Sequence, residues 1–293
     1  MNDQSKLYFL YVVDAELVDE AYALANFTNL FEVVQSKPPL ASIYLQLDSA
    51  GLAVVVLSTA DYGRTYVHQI YARLGVRYRN LADELLFKSA KLPTSRVANS
   101  SSGNVASNTS ISSIPPSISR ASYADNILWD LTAGLGKDAL ILAAMGYNVT
   151  MFEQHPVLAT ILYYALDKKI IPAKNLHLIF GDSYKFLQQT VEQGTGRPNV
   201  IYLDFMFKHD KSAKAKKDMQ LIQLLMSHSL FGEDSDKHDA NNTVVNEQKL
   251  FTLSYQIALN KIIVKRENKQ EGIVDIPKPT YSKQGKTIRF DVY

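Results

Sequence analysis

The chain has 293 residues, 46% of them apolar, so it can bury one large core or two ordinary ones and reads as a folded globular protein. A net charge of +2 does not announce a nucleic-acid binder, so any such role must come from where the positive charges cluster. The absence of cysteine excludes a disulfide framework, a cysteine-ligated zinc and a thiol nucleophile, and it fits a reducing cytoplasm. The longest apolar run, near Leu52 to Leu57, is too short to span a bilayer. Leu7 to Val13 leads into Asp14 and Glu16 without a small-residue cleavage pattern. The expectation is a soluble, cytoplasmic protein that engages neither membrane nor metal.

In chain order, Leu7 to Val13 is a β-rich run, and Ala15 to Leu30 carries Leu17, Ala21, Leu24 and Ala25 at helical spacing. Ser42 to Leu47 and Leu52 to Leu57 flank Asp48-Ser-Ala-Gly51, a polar turn ending in glycine that predicts a hairpin. A helix is expected through Asn80 to Ala90, which completes a small α+β domain over residues 1–90. Residues 91–122 are dominated by serine and asparagine, with Pro93, Pro115 and Pro116. That composition offers too little apolar surface to offset the entropy of ordering it, and it predicts a flexible linker or insertion.

From residue 123 to 293 strands and helices alternate. Strands are expected at Ile127 to Trp129, Asn148 to Phe152, Leu176 to Ile179 and Val200 to Leu203. Helices are expected from about Lys137 to Met145, Val157 to Lys168 and Tyr184 to Glu192. An apolar helix at Met219 to Leu225, a polar insertion from Gly232 to Gln248, and strands at Lys261 to Lys265 and Thr287 to Tyr293 follow. The last two strands form an antiparallel pair at the sheet edge, with Gly285 in the turn before the final one. Such alternation predicts a mostly parallel sheet covered by helices on both faces, with ligands at the carboxyl ends of its strands.

Asn126-Ile-Leu-Trp-Asp-Leu-Thr-Ala-Gly-Leu-Gly-Lys-Asp138 runs from a strand through an acid into a glycine turn that opens a helix. Gly134 and Gly136 let the backbone bend and approach a ligand, and the helix start offers free N–H groups. Asp130, Glu153, Asp182 and Asp204 each stand just past a predicted strand. Glu153, placed after the second strand, suits ribose hydroxyls. Asp182 and Ser183 suit the edge of an adenine, although an acid after a strand is also an ordinary helix N-cap. Gly134-Leu-Gly-Lys-Asp-Ala139 fits the G-x-G-x-x-A fingerprint, so an NAD(P)-dependent oxidoreductase is an alternative. A pyrophosphate gains nothing from the carboxylate of Asp130, whereas a sulfonium carrying a cationic amino-acid tail does, so the acidic rim favours S-adenosyl-L-methionine.

Asp130 to Ala139, Glu153-Gln-His-Pro-Val157 and Tyr202-Leu-Asp-Phe-Met-Phe-Lys-His209 resemble three blocks of the ribosomal RNA small-subunit methyltransferase J family. Lys216-Lys-Asp-Met219, Val264-Lys-Arg266 and Arg289-Phe-Asp-Val-Tyr293 resemble further blocks in the same order. The resemblance implies a class I methyltransferase (Rossmann-like) fold, an α/β sheet that is mostly parallel with an antiparallel final strand. It implies transfer from S-adenosylmethionine to N2 of one guanosine near the 3′ end of small-subunit rRNA, as free RNA or in the 30S subunit. Cofactor contacts carried over fall on Lys137, Asp138, Glu153, Gln154, Asp182, Ser183 and Asp204.

For the reaction, Asp204 and the carbonyl of Phe205 are expected to accept from the guanine amino group, and Phe207 to stack on the base. As aromatics, Phe205 and Phe207 are equally ordinary core residues. Where the family's motif resembles Asp-Pro-Met-Phe-Pro, this chain has Phe205 and Lys208 in place of the prolines. That departure motivates a second reading, a catalytically impaired RNA- or ribosome-binding protein that keeps the fold. Lys208, His209, Lys211, Lys214, Lys216 and Lys217, with Arg73, Arg77 and Arg79, form two basic clusters suited to RNA phosphates or to a solvated face.

Overall fold

The structure, a computed structural model, describes residues 8–38, 43–57, 62–72, 81–91, 126–171, 174–205, 225, 240–270, 272–273 and 275–293. Strand β1 (Tyr8–Val12) alternates buried and half-buried residues, and helix α1 (Val18–Thr28) buries Ala21, Leu24, Ala25 and Thr28. Asn29, in the left-handed conformation at φ 59°, ends α1 and turns the chain into β2 (Phe31–Val34), parallel to β1. The hairpin expected at Asp48 to Gly51 is present between β3 (Ile43–Asp48) and β4 (Gly51–Leu57), with Asp48 Oδ1 accepting from Ala50 N at 2.9 Å. Strand β5 (Tyr62–Tyr66) and helix α2 (Val67–Tyr71) follow, and the sheet has the order β2-β1-β3-β4-β5. The helix expected over Asn80 to Ala90 is split, because Glu84 is extended between a 3-10 turn at Leu81–Asp83 and helix α3 (Leu85–Ala90). Most of the serine-rich stretch, residues 92–122, lies outside the described residues, as do Arg73, Arg77 and Arg79.

The second sheet holds β6 (Ile127–Asp130), β7 (Asn148–Glu153), β8 (Leu176–Phe180), β9 (Val200–Asp204), β10 (Lys261–Glu267), β11 (Tyr281–Gln284) and β12 (Ile288–Val292). Its order is β11-β12-β10-β9-β6-β7-β8, with β6 to β10 mutually parallel and β12 antiparallel to both β10 and β11. This is the class I methyltransferase arrangement the sequence implies. The expected pairing of the last two strands is present, but β11 lies outside β12 and forms the edge. Helices α4 (Lys137–Ala144), α5 (Pro156–Asp167) and α6 (Ser183–Gln193) connect the parallel strands. The polar stretch expected up to Gln248 is in part helix, because α7 (Ala240–Ile257) begins at Ala240 and presents Leu250, Phe251, Ser254 and Ile257 to the core. Of the helix expected at Met219 to Leu225, only Leu225 is described.

Strand periodicity of two sends Leu128, Val200 and Tyr202 to one face, toward α4 and α5, and Trp129, Ile201 and Leu203 to the other. Each leucine or isoleucine fully buried in these layers contributes about 2 kcal/mol. The first core is continuous with that of the N-terminal sheet. Phe27 of α1 stacks on Tyr163 of α5 with ring centres 4.4 Å apart, and Lys168 pairs with Glu20 at 3.0 Å. Tyr71 donates to the carbonyl of Leu135 at 3.0 Å, and Tyr147 donates to that of Ala90 at 2.6 Å.

Candidate active site

The chain runs outward from β6 through β7 to β8, then crosses back to β9 and β10. The strand order therefore reverses between β6 and β9, where the carboxyl ends of neighbouring strands diverge into a crevice. Asp130 closes β6 and Asp204 closes β9 on either side of it, and Leu131 N donates to Tyr202 O at 3.1 Å across the gap. Glu153 ends β7, and Asp182 follows β8. The rim of acids read from the sequence is thus assembled along the edge of one sheet.

The glycine turn is built against this rim. Ala133 N donates to Phe152 O at 3.0 Å, and Gly136 N returns to Ala133 O at 2.7 Å. Glu153 accepts from Gly134 N on Oε2 and from His155 N on Oε1, both at 2.7 Å. The backbone of Gln154 bonds the same carboxylate, which leaves it one lone pair for a hydroxyl donor. Gly134 and Gly136 are both left-handed, at φ 54° and 66°, but they do different work. A Cβ on Gly134 would meet nothing within 4 Å, so its backbone borders open space. A Cβ on Gly136 would lie 2.7 Å from Leu162 Cδ2 and 3.1 Å from Met151 Sδ. Gly136, expected from the sequence to let the backbone approach a ligand, thus also permits close packing of α4 over α5 and β7.

Asp130 is almost wholly buried and accepts from Thr132 N at 3.2 Å. Burial, with lesser repulsion from Asp138, Asp204 and Glu153, holds its carboxyl well above the ordinary carboxylate range. Burial likewise pushes Glu153 up to about 7, against the pull of its backbone donors. Asp138, in the first turn of α4, accepts on Oδ2 from Tyr202 Oη and from Lys265 Nζ, each at 2.8 Å. Lys265 Nζ also reaches Asp204 Oδ2 at 2.6 Å, and Asp204 N donates to Thr132 Oγ1 at 2.7 Å. Burial raises the Asp204 carboxyl, with Lys265 acting in the opposite sense. For Lys265, burial opposes the charge, but Asp138 and Asp204 outweigh it and its pKa stands above the usual value.

Of the other residues singled out from the sequence, Lys137 opens α4 beside Asp138 and Gln154 is exposed next to Glu153. Ser183 is the first residue of α6. Asp182 is the N-cap of that helix, accepting from Tyr184 N on Oδ1 at 2.9 Å, so the ordinary capping role is present. Phe205 is buried among Leu203, Ile257 and Val264 in the second core, with the Arg266 guanidinium 6.0 Å from its ring centre. Its side chain is thus a core residue, and only its backbone remains available to a ligand. Phe207, Lys208, His209 and the lysines from Lys211 to Lys217 lie outside the described residues. Thr132, Tyr202 and Lys265 were not singled out from the sequence, although all three stand in motifs quoted above. Among the described residues, no group of acids, histidines or cysteines is arranged to hold a metal, and no helix is long and apolar enough to cross a membrane.

Residues 115–293, more than half of the chain, match the family described as "Putative SAM-dependent methyltransferase". The ribosomal RNA small subunit methyltransferase J of Pseudoalteromonas translucida is 37% identical over 175 residues, covering 57% of this chain and 62% of that protein. Its counterpart in Neisseria meningitidis serogroup C is 35% identical over 173 residues, with the same coverage. The chain thus spans less than two thirds of the length of these relatives. The crystal structure of a SAM-dependent methyltransferase from Neisseria gonorrhoeae superposes with a TM-score of 0.63 at 23% identity, covering 97% of this chain and 95% of that one. That likeness extends the shared fold through the N-terminal sheet.

Proposed function

We propose that this chain, which belongs to the SAM-dependent methyltransferase family, uses S-adenosylmethionine to methylate N2 of a guanosine near the 3′ end of small-subunit ribosomal RNA. The observation that carries the reading is the placement of Asp204 at the sheet's switch point, beside the acidic rim and the open side of Gly134. The names of the relatives support the RNA substrate, as do the basic residues that follow Asp204 in the sequence. The family match sets aside the nicotinamide reading of Gly134 to Ala139.

The residues fit the cofactor. Gly134 leaves room for a ligand where any side chain would intrude, and Glu153 keeps a lone pair for a ribose hydroxyl. Asp182 offers Oδ2 to an adenine amine while Oδ1 caps α6. Asp130, Lys137, Asp138, Gln154 and Ser183 complete the rim. When bound, S-adenosylmethionine supplies an electrophilic methyl carbon whose departing sulfur becomes a neutral thioether.

A guanine amino group is a poor nucleophile because its lone pair is delocalised into the ring. Asp204 and the carbonyl of Phe205 accept its two N–H bonds, which localises the lone pair and fixes the line of attack. The proton released after transfer passes to water at the open end of Asp204. Proline at position 205 would fix this carbonyl through φ; here burial of the Phe205 ring in the second core restrains it instead. Phe207 stacks on the base.

The test is transfer of labelled methyl from S-adenosylmethionine to 30S subunits, and to free rRNA, from a strain lacking the modification. Asp204→Ala should abolish transfer while S-adenosylhomocysteine still binds. Cofactor binding by the wild-type protein with no transfer to either substrate would favour the catalytically impaired reading, and full activity in Asp204→Ala would refute the site.

A further inference from the structure

Neither cofactor binding nor substrate contact accounts for Lys265. It stands on β10 directly opposite Asp204 in the parallel register, so neighbouring strands deliver the two side chains to one point. Its ammonium joins Oδ2 of Asp204 to Oδ2 of Asp138, and Asp138 Oδ2 in turn holds the hydroxyl of Tyr202. A chain of bonds therefore runs from β9 through α4 and β10 back to β9. It becomes more accessible toward its end: the side chains of Asp138, Lys265 and Asp204 are 13%, 23% and 33% exposed. Among the described residues, every side-chain bond to Asp204 falls on Oδ2, so Oδ1 is the oxygen left for a ligand.

We propose that Lys265 is the positioning residue of methyl transfer: seated on Asp138, it grips Oδ2 of Asp204, fixes the carboxylate's rotation and leaves Oδ1 ionised to accept from the substrate amine. The inference rests on the role given to Asp204 above. Asp204 faces Asp130 from β6, Asp138 from α4, Tyr202 on its own strand and Lys265 from β10. Three of those four groups are acids or a buried phenol that disfavour a second negative charge. A cation placed between the two nearest carboxylates offsets their mutual repulsion and favours the charged form of Asp204. Lysine suits the position because a compact charge with rotatable donors can bond two carboxylates at one point.

The experiment compares wild type with Lys265→Met and Lys265→Arg. It measures methyl transfer to unmethylated 30S subunits across pH, S-adenosylhomocysteine affinity by calorimetry, and the Asp204 carboxyl pKa by carbon-13 NMR. In Lys265→Met, kcat at pH 7 should fall by about 100-fold while cofactor affinity stays within about threefold. The acid limb of the rate profile and the Asp204 pKa should both move up by about one pH unit or more, so that part of the rate returns at higher pH. Lys265→Arg should restore the acid limb. A Lys265→Met protein whose acid limb and Asp204 pKa match wild type would overturn the proposal. Should wild type itself transfer no methyl, the functional reading fails, and the NMR comparison still decides whether Lys265 controls Asp204. Lys265→Gln, which keeps a donor without the charge, makes the same comparison if the methionine variant does not fold.

Discussion

Glu153→Gln tests whether burial controls the glycine turn as the structure requires. The wild-type carboxyl rises from 4.5 to about 7 on folding because it is buried, despite three backbone donors. The folded form therefore holds its proton more tightly than the unfolded form. Stability contributed at this site is present below pH 4.5 and declines as pH rises toward 7, by about 3 kcal/mol in all at ~1.4 kcal/mol per pH unit. Glutamine has the same shape and no charge, so it removes that slope. It also offers one acceptor oxygen where three backbone N–H groups bond the carboxylate, and leaving one of them, such as Gly134 N or His155 N, unsatisfied costs about 1–3 kcal/mol at every pH. Wild type should thus be more stable than the variant near pH 4.5, and that lead should shrink or reverse by pH 8. His155 is held below its usual pKa by burial and contributes with the opposite sign, but it is common to both proteins and cancels in the difference. The assay is urea unfolding of both proteins from pH 4.5 to 8. A stability difference that stays constant across that range would refute the reasoning.

Two further perturbations separate the roles of neighbouring groups. Gly136→Ala forces a left-handed alanine into Leu162 and Met151 and should destabilise by about 2–4 kcal/mol in urea unfolding. Gly134→Ala, with open space around its Cβ, should cost only about 1–2 kcal/mol, yet it should weaken S-adenosylhomocysteine binding in calorimetry; equal stability losses in the two variants would contradict this division. Tyr71→Phe removes the bond to the Leu135 carbonyl and should cost about 1–2 kcal/mol while loosening cofactor affinity, a change that calorimetry and thermal unfolding would both register.

The doubly covered sheet and its acidic rim were legible because four apolar strands, each closed or followed by an acid at Asp130, Glu153, Asp182 and Asp204, alternate with helices, and the pattern needs no knowledge of strand order. The edge strands β5 and β11 were not. Tyr62-Gly-Arg-Thr-Tyr66 and the exposed Tyr281-Ser-Lys-Gln284 pair on one main side and have no apolar face to announce them. Helix α7 escaped because the sequence from Ala240 to Gln248 is mostly polar, while Leu250, Phe251, Ser254 and Ile257, which face the core, come later in the helix. The turn at Gly134 to Gly136 was visible, but two glycines two residues apart look alike until the helix packed beneath one of them is known. Lys265 was hidden for a related reason. Its significance arises only when β10 lies beside β9 in the register that sets it opposite Asp204, 61 residues earlier in the chain.

The bond from Tyr71 to the carbonyl of Leu135 ties the middle residue of the glycine turn to helix α2, which follows the N-terminal sheet. Residues 115–293 carry the family pattern, yet the backbone proposed to receive the nucleoside of the cofactor is braced by a residue that pattern does not include. The part that matches the family is therefore not structurally independent of the N-terminal third. Changes accepted in the N-terminal third should be filtered by the chemistry of a pocket they never touch, and grafting residues 115–293 onto another partner would have to replace that brace.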